Sequence, residues 1–176
     1  MGIPVVVCIG TASVAGDSLG PMVGDILREK YNVRAYVYGG MKQPVNGINY
    51  HTYIEHIKSR HNKSLIIAVD ACVGEPNDVG KIKFTAGGVA AGGALNKNFE
   101  KVGNVGILGV VAEREKDNLK ALMGVSYHLV ENMSRTIAYK VYKLLLKWEI
   151  IRPYTKRIQI KQSQFPLRKQ REYDII

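Results

Sequence analysis

Cysteine is nearly absent. The 176 residues hold two, Cys8 and Cys72, and no CxxC pair. That excludes a disulfide framework and leaves zinc without its usual thiolates. Both sit in or at the end of apolar, strand-like runs and read as small buried hydrophobes. No apolar run comes near the roughly 18 residues of a membrane span, so no membrane segment is expected. The opening MGIPVVVCIG carries no basic leader, and the expectation is a cytoplasmic protein. Phosphate-binding signatures are missing as well. GTASVAG places Thr11 and Ser13 where a dinucleotide fingerprint needs glycine, and no GK[ST] follows. Ser13 and Ser18 lack the GxSxG elbow of a serine hydrolase. There are no internal repeats.

What the chain has in excess is positive charge, +10 overall. Residues 151–176 hold seven Lys/Arg against two acids, and residues 1–150 hold 18 against 13, so half the excess lies in the last 26 residues. Residues 1–150 are read as one α/β domain and residues 151–176 as a basic tail or arm, because Pro153 and Pro166 preclude one continuous helix there. The tail is either solubilising surface or a contact for an acidic partner or a polyanion such as DNA. Nucleic acid is not expected as a ligand in spite of it, and a homo-oligomer is left open.

Residues 5–10 form an apolar, β-branched run that suits a strand buried on both faces. Asp17 or Ser18 is placed to cap a helix reaching about Lys30, with Pro21 in its first turn and Val23, Ile26 and Leu27 inward. A strand over 33–38 and a helix carrying Tyr53, Ile54 and Ile57, capped by Asn49 or His51, come next. A third strand spans 65–71, and a turn-rich loop leads to a short strand over 81–84, the candidate for antiparallel insertion. Residues 85–98 are rich in Gly and Ala and read as backbone packed closely against something. A strand over 105–111, a short helix near 115–122 and a long helix over 126–148 complete the order. The long helix places Leu129, Val130, Met133, Ile137, Val141, Leu144 and Leu145 on its apolar stripe. The sum is a three-layer α/β/α sandwich around a mostly parallel twisted sheet.

Two acids follow central strands: Asp17 after the first, Asp70 at the end of the third. Loops at the carboxyl ends of such strands are where open α/β sheets place ligands. If the two strands are neighbours, the acids share one rim. They could then bind a divalent metal through oxygen or share a proton and activate water. The competing readings make Asp17 a helix cap and Asp70 a strand-end residue bonded to loop amides. His51, His56 and His61, five apart, do not share a helical face and read as surface, and His128 is expected to stay away from the rim. Asn96 and Lys97 could offer an amide and an ammonium to a developing oxyanion.

GTASVAGDSLGP, then IIAVDACVG, then a Gly-rich stretch ending in LNK, resembles the YyaC-like sporulation proteins. These look like relatives of the germination protease of spore formers and, more distantly, of the hydrogenase maturation endopeptidases. The likeness covers about residues 3–145. It implies a phosphorylase/hydrolase-like α/β sandwich without a resident cofactor, in a sporulating cell or forespore. It also implies a peptidase whose acids are Asp17 and Asp70. The mechanism read onto these residues has Asn96 or nearby amides hold the oxyanion, with Gly10, Thr11 and Lys97 beside a protein or peptide substrate. The hydrogenase proteases add a later histidine that meets their substrate's nickel. This chain has no histidine between His61 and His128, so the resemblance carries no such ligand onto it. The rival readings are a divalent-metal or small-ligand binding protein using the same acids, and a non-enzymatic sporulation partner.

Overall fold

In the computed structural model, residues 2–90 and 100–151 are described. A five-stranded sheet is built from β1 (Val5–Cys8), β2 (Tyr36–Tyr38), β3 (Ile66–Gly74), β4 (Ile82–Ala86) and β7 (Val105–Glu113), in the order β2-β1-β3-β7-β4. All neighbours are parallel except β4, which runs antiparallel to β7. A separate ribbon pairs β5 (Val89–Ala90) with β6 (Lys101–Val102). The helices are α1 (Leu19–Glu29), α2 (Tyr50–Arg60), α3 (Asn118–Met123) and α4 (Tyr127–Ile151). The expected α/β sandwich is therefore the observed one, with the short fourth strand inserted antiparallel.

Alternation along the strands divides two cores. Val6 and Cys8 of β1 join Ile67, Val69, Ala71 and Val73 of β3 under α1 and α4. Val5, Val7 and Ala68 face the other way, onto Tyr50, Tyr53, Ile54 and Ile57 of α2 and onto Val89 and Val102 of the ribbon. Strands buried on both faces carry continuous apolar runs rather than an alternating pattern.

Some boundaries differ from expectation. β1 stops at Cys8, and Ile9 makes only a single bridge to Val45. β3 continues three residues past Ala71, because β7 pairs with it as far as Gly74 across an irregularity at Cys72/Val73. Cys72 thus lies within β3 and is only partly buried, whereas Cys8 is fully buried. On α4, Val130, Met133, Ile137, Val141 and Leu145 are buried, but Leu144 is 39% exposed on the flank of that stripe. His56 and His61 are half-buried rather than surface groups. His61 lies just beyond α2, so its ring escapes the helical period and packs on Tyr36 and Tyr38, accepting or donating a 2.8 Å bond with the Tyr38 hydroxyl.

Candidate active site

The strand order puts the chain's reversal point between β1 and β3. From β1 the chain crosses through α1 to β2 on one side, then through α2 to β3 on the other. Connections leaving in opposite directions open a crevice at the carboxyl ends of these strands, the usual ligand position in open α/β sheets.

Glycine closes the β1–α1 junction onto this crevice. Gly10 has φ +139°, and a Cβ there would lie 2.0 Å from the Asp17 carbonyl oxygen. Gly20 lies equally tight against the Ile9 carbonyl oxygen. Backbone therefore meets backbone, and the loop folds into a small ring. The Thr11 amide donates to the Asp17 carbonyl oxygen at 3.2 Å, and the Ser18 hydroxyl donates to the Ala15 carbonyl oxygen at 2.7 Å. The Ser134 hydroxyl, from α4, donates to the Leu19 carbonyl oxygen at 3.2 Å. Gly10 and Thr11 are thus structural members of the loop that presents Asp17.

Asp17 sits half-buried in a 3-10 turn, Gly16–Ser18, ahead of α1. The N-cap position of α1 falls to Ser18, and no side chain makes a cap bond there. The helix-cap reading of Asp17 fails for that reason. Burial raises the proton affinity of its carboxyl above the usual carboxylate range, partly offset by the Thr11 amide.

Asp70 is 5% exposed. It was expected at a strand end, but it is the end of β1 that it marks. Cys8, the last residue of β1, pairs with Val69, and Asp70 is the next residue of β3, opposite Leu108 of β7. Its carboxylate accepts one bond, 2.9 Å, from the amide of its own neighbour Ala71. Burial, then the nearby charge of Asp17, push its carboxyl well above the usual range, and the Ala71 amide opposes them. Burial draws both acids toward protonation, and the charge of Asp17 adds to the effect at Asp70, so the buried Asp70 is the one that keeps a proton more readily. That state combines a base with an acid.

Tyr50 is a member of this environment that the sequence reading passed over. It is 1% exposed at the first turn of α2, and its hydroxyl donates to the Glu100 carbonyl oxygen at 2.6 Å. Its phenol is pushed upward by burial and then by the charges of Asp70 and Glu100. The stripe Tyr50, Tyr53, Ile54, Ile57, spaced by three and four, was the signal available for it. Asn49 stands before it as the N-cap residue, but its amide is engaged with the Asn46 amide and the Pro44 carbonyl rather than with the helix.

Asn96 and Lys97 lie outside the described residues, as does the tail over 152–176. Of the Gly-rich stretch, Gly88, at φ +82°, would bring a Cβ within 2.0 Å of the Val102 carbonyl oxygen and is packed as expected, whereas Gly87 is exposed with open space around it. His128 is exposed on α4 and pairs with Asn132 at 3.0 Å. Among the described residues no three His, Cys, Asp or Glu side chains come together to hold a metal. Two carboxyls offer at most four of the six to eight oxygens a calcium-like ion takes.

Among the described residues no helix is long and apolar enough to cross a membrane. In overall shape the chain is similar to hydrogenase maturation proteases. It matches HycI from Thermococcus kodakarensis KOD1 at a TM-score of 0.52 and 18% identity, over 82% of this chain and 93% of that one. HybD from E. coli matches at 0.53 and 14%, over 84% and 94%. Peptidyl-tRNA hydrolase from Acinetobacter baumannii matches at 0.57 and 13%, over 84% and 90%. At these identities the likeness is one of fold. In sequence the chain is 37% identical over 134 residues to the uncharacterized protein YyaC of Bacillus subtilis (strain 168), covering 76% of this chain and 65% of that relative. The match therefore spans slightly less than two thirds of the relative's length. Residues 3–140 match the family described as a protein of unknown function, DUF1256, and the chain belongs to that family.

Proposed function

We propose that the protein is an endopeptidase whose two working groups are Asp17 and Asp70. One observation supports the reading: Asp70, nearly buried on β3, and Asp17, half-buried in the loop after β1, lie near enough for the charge of Asp17 to raise the proton affinity of Asp70, and burial draws both above the ordinary carboxylate range. The fold, shared with hydrogenase maturation proteases and also with peptidyl-tRNA hydrolase, is compatible with a peptidase, and the choice of that chemistry rests on the two acids.

The more exposed Asp17 serves as base and takes a proton from a water between the carboxyls. The water oxygen adds to the scissile carbonyl carbon. Asp70, protonated by virtue of its burial, donates to the carbonyl oxygen as charge develops there. Asp17 then passes its proton to the leaving amine as the C–N bond breaks, a hydroxyl proton of the collapsing intermediate returns to Asp70, and the products are a carboxyl and an amine. Asn96 and Lys97 are proposed as further contacts to the oxyanion and the substrate. The substrate proposed is a spore polypeptide, in a sporulating cell, and no resident metal is invoked.

The test is cleavage of fractionated spore polypeptides by wild type, Asp17→Asn and Asp70→Asn, with and without a chelator. Cleavage lost in both variants and indifferent to chelator is expected. Chelator-sensitive cleavage would replace the metal-free mechanism with a metal-assisted one. Folded wild type that cleaves no fraction would sink the peptidase reading and leave the two acids as a binding site.

A further inference from the structure

The positive charge does not begin with the tail. Residues 135–176 hold eleven Lys/Arg against three acids, leaving residues 1–134 nearly balanced with fourteen against twelve. The described structure shows where the charge starts. Arg135, Tyr139, Lys143 and Lys147 follow one another at intervals of four on the exposed side of α4, a single stripe along the helix, with exposed Lys140 beside it. From Tyr127 to Trp148 the one acid on α4 is Glu131, which is already paired with Arg135 at 2.7 Å.

The same stripe carries an aromatic platform. Tyr31, just past the end of α1, stacks on Tyr142 with ring centroids 4.6 Å apart and an interplanar angle of 11°. Tyr139 stands 6.5 Å from Tyr31, tilted by 46°, and is 51% exposed. Lys30 places its ammonium 5.6 Å from the Tyr31 ring centre. Rings flanked by ammonium groups suit a strand that offers phosphates and unstacked bases together. Two uncharged polar side chains of this face, Thr136 and Asn132, are engaged within the helix. The Thr136 hydroxyl donates to the Asn132 carbonyl oxygen at 3.0 Å, and the Asn132 side chain is engaged by His128. What the stripe mainly offers a ligand is ammonium charge and ring face, contacts that every phosphate and every base can meet.

We propose that the exposed face of α4, with Lys30 and Tyr31 at the end of α1, binds single-stranded nucleic acid without sequence or sugar preference. Lys140, Lys143, Lys147 and Lys30 contact phosphates, and Tyr139 stacks a base. The proposal is independent of the peptidase reading, since none of these residues belongs to the Asp17/Asp70 crevice.

The test uses the full chain and fluorescence anisotropy with labelled oligo(dT) and oligo(rU) of about 20 nucleotides, long enough for one site. Measurements at about 50 and 200 mM salt give the number of phosphates engaged, at a slope of about −0.7 per phosphate for single strands. Both oligonucleotides are expected to bind alike. Lys143→Glu combined with Lys147→Glu should weaken binding at least about tenfold and flatten the salt slope. Tyr139→Ala should weaken it about fivefold or more, the loss of one stacked base. All three positions are exposed, and circular dichroism checks that the variants remain folded. No binding by wild type overturns the proposal. Binding indifferent to Tyr139→Ala also overturns it, reducing the face to a general polyanion surface. Tighter binding to phosphatidylglycerol vesicles or to polyglutamate, lost in the same lysine variants, would assign the face to a membrane or an acidic protein instead.

Discussion

The close contact between β1 and α1 gives the most direct test of how the site is held. Gly20→Ala adds one methyl group at the second residue of α1. That carbon would fall 2.0 Å from the Ile9 carbonyl oxygen and 2.9 Å from the Ile9 carbonyl carbon and nitrogen. Ordinary contact for such a carbon begins near 3.4 Å, so the helix start must retreat from the strand by about 1.4 Å. Both sides of the contact are backbone, and no side-chain rotation relieves it. Alanine returns up to about 1 kcal/mol of helix propensity over glycine. Overpacking typically costs about 1–3 kcal/mol and more where nothing can yield. The net loss should be about 2 kcal/mol. At about 2–4 °C per kcal/mol for a chain of this size, thermal unfolding should move down by about 4–8 °C. Gly124→Ala is the control, because its Cβ would meet the Lys120 and Ala121 carbonyl oxygens at 3.6 and 3.7 Å, an ordinary distance. It should melt within about 2 °C of wild type. Asp17 lies three residues before Gly20, so the same retreat should displace it from Asp70. If Gly20→Ala melts at or above the wild-type temperature, the account of this junction is wrong.

Asp70 should make stability depend on pH in an unusual direction. Its carboxyl binds protons more tightly folded than unfolded, so the native state holds the extra proton once pH exceeds the unfolded value of about 3.9. Its contribution is complete below that value and is lost as pH rises through the raised folded value. Asp70→Asn should therefore unfold at a higher denaturant concentration than wild type near pH 8, with the gap closing toward pH 4. A gap that is constant or reversed would contradict the burial argument. Tyr50→Phe removes the hydroxyl that holds the Glu100 carbonyl. It should cost about 1 kcal/mol and speed amide exchange at Val102, two residues after Glu100 in the ribbon, with little change in the exchange of β1. Unaltered exchange at Val102 would mean that Tyr50 does not tether the ribbon.

The layers of the fold were legible because they rest on period. β1 and β3 are apolar on both faces, and α1 and α4 carry stripes spaced by three and four, so parallel strands under helices follow. Asp17 and Asp70 were legible because an acid inside or just after such a strand is out of place there. The end of β3 was not. Cys72, Val73 and Gly74 run into a turn-rich sequence, and only pairing with β7 keeps them extended. The β5–β6 ribbon has two residues a side, too few for any alternation to register. His61 joins Tyr36 and Tyr38 through a position beyond the helix, which helical spacing cannot foresee. The charge of α4 was hidden by dividing the chain at its last helix, since its lysines were counted with a nearly neutral domain.

A buried acid with one amide partner is a poor choice for stability alone. Leaving Asp70 charged in this position is costly, and keeping it protonated at neutral pH is also costly relative to the unfolded chain. An alanine, like Ala68 two residues earlier on the same face, would continue β3 at no such cost. The neighbouring strand offers no relief either, because β1 ends one pairing short of Asp70. Sheet topology and electrostatics thus meet at one residue. The crevice that opens where β1 stops is also where the fold carries an acid that its packing does not require. Strain of this kind persists where the surrounding structure over-determines it, and it concentrates at functional sites. That coincidence, rather than the presence of two carboxylates, is what the proposed site rests on, and Asp70→Asn tests it. A variant that gains stability while losing cleavage places the cost and the chemistry on the same group.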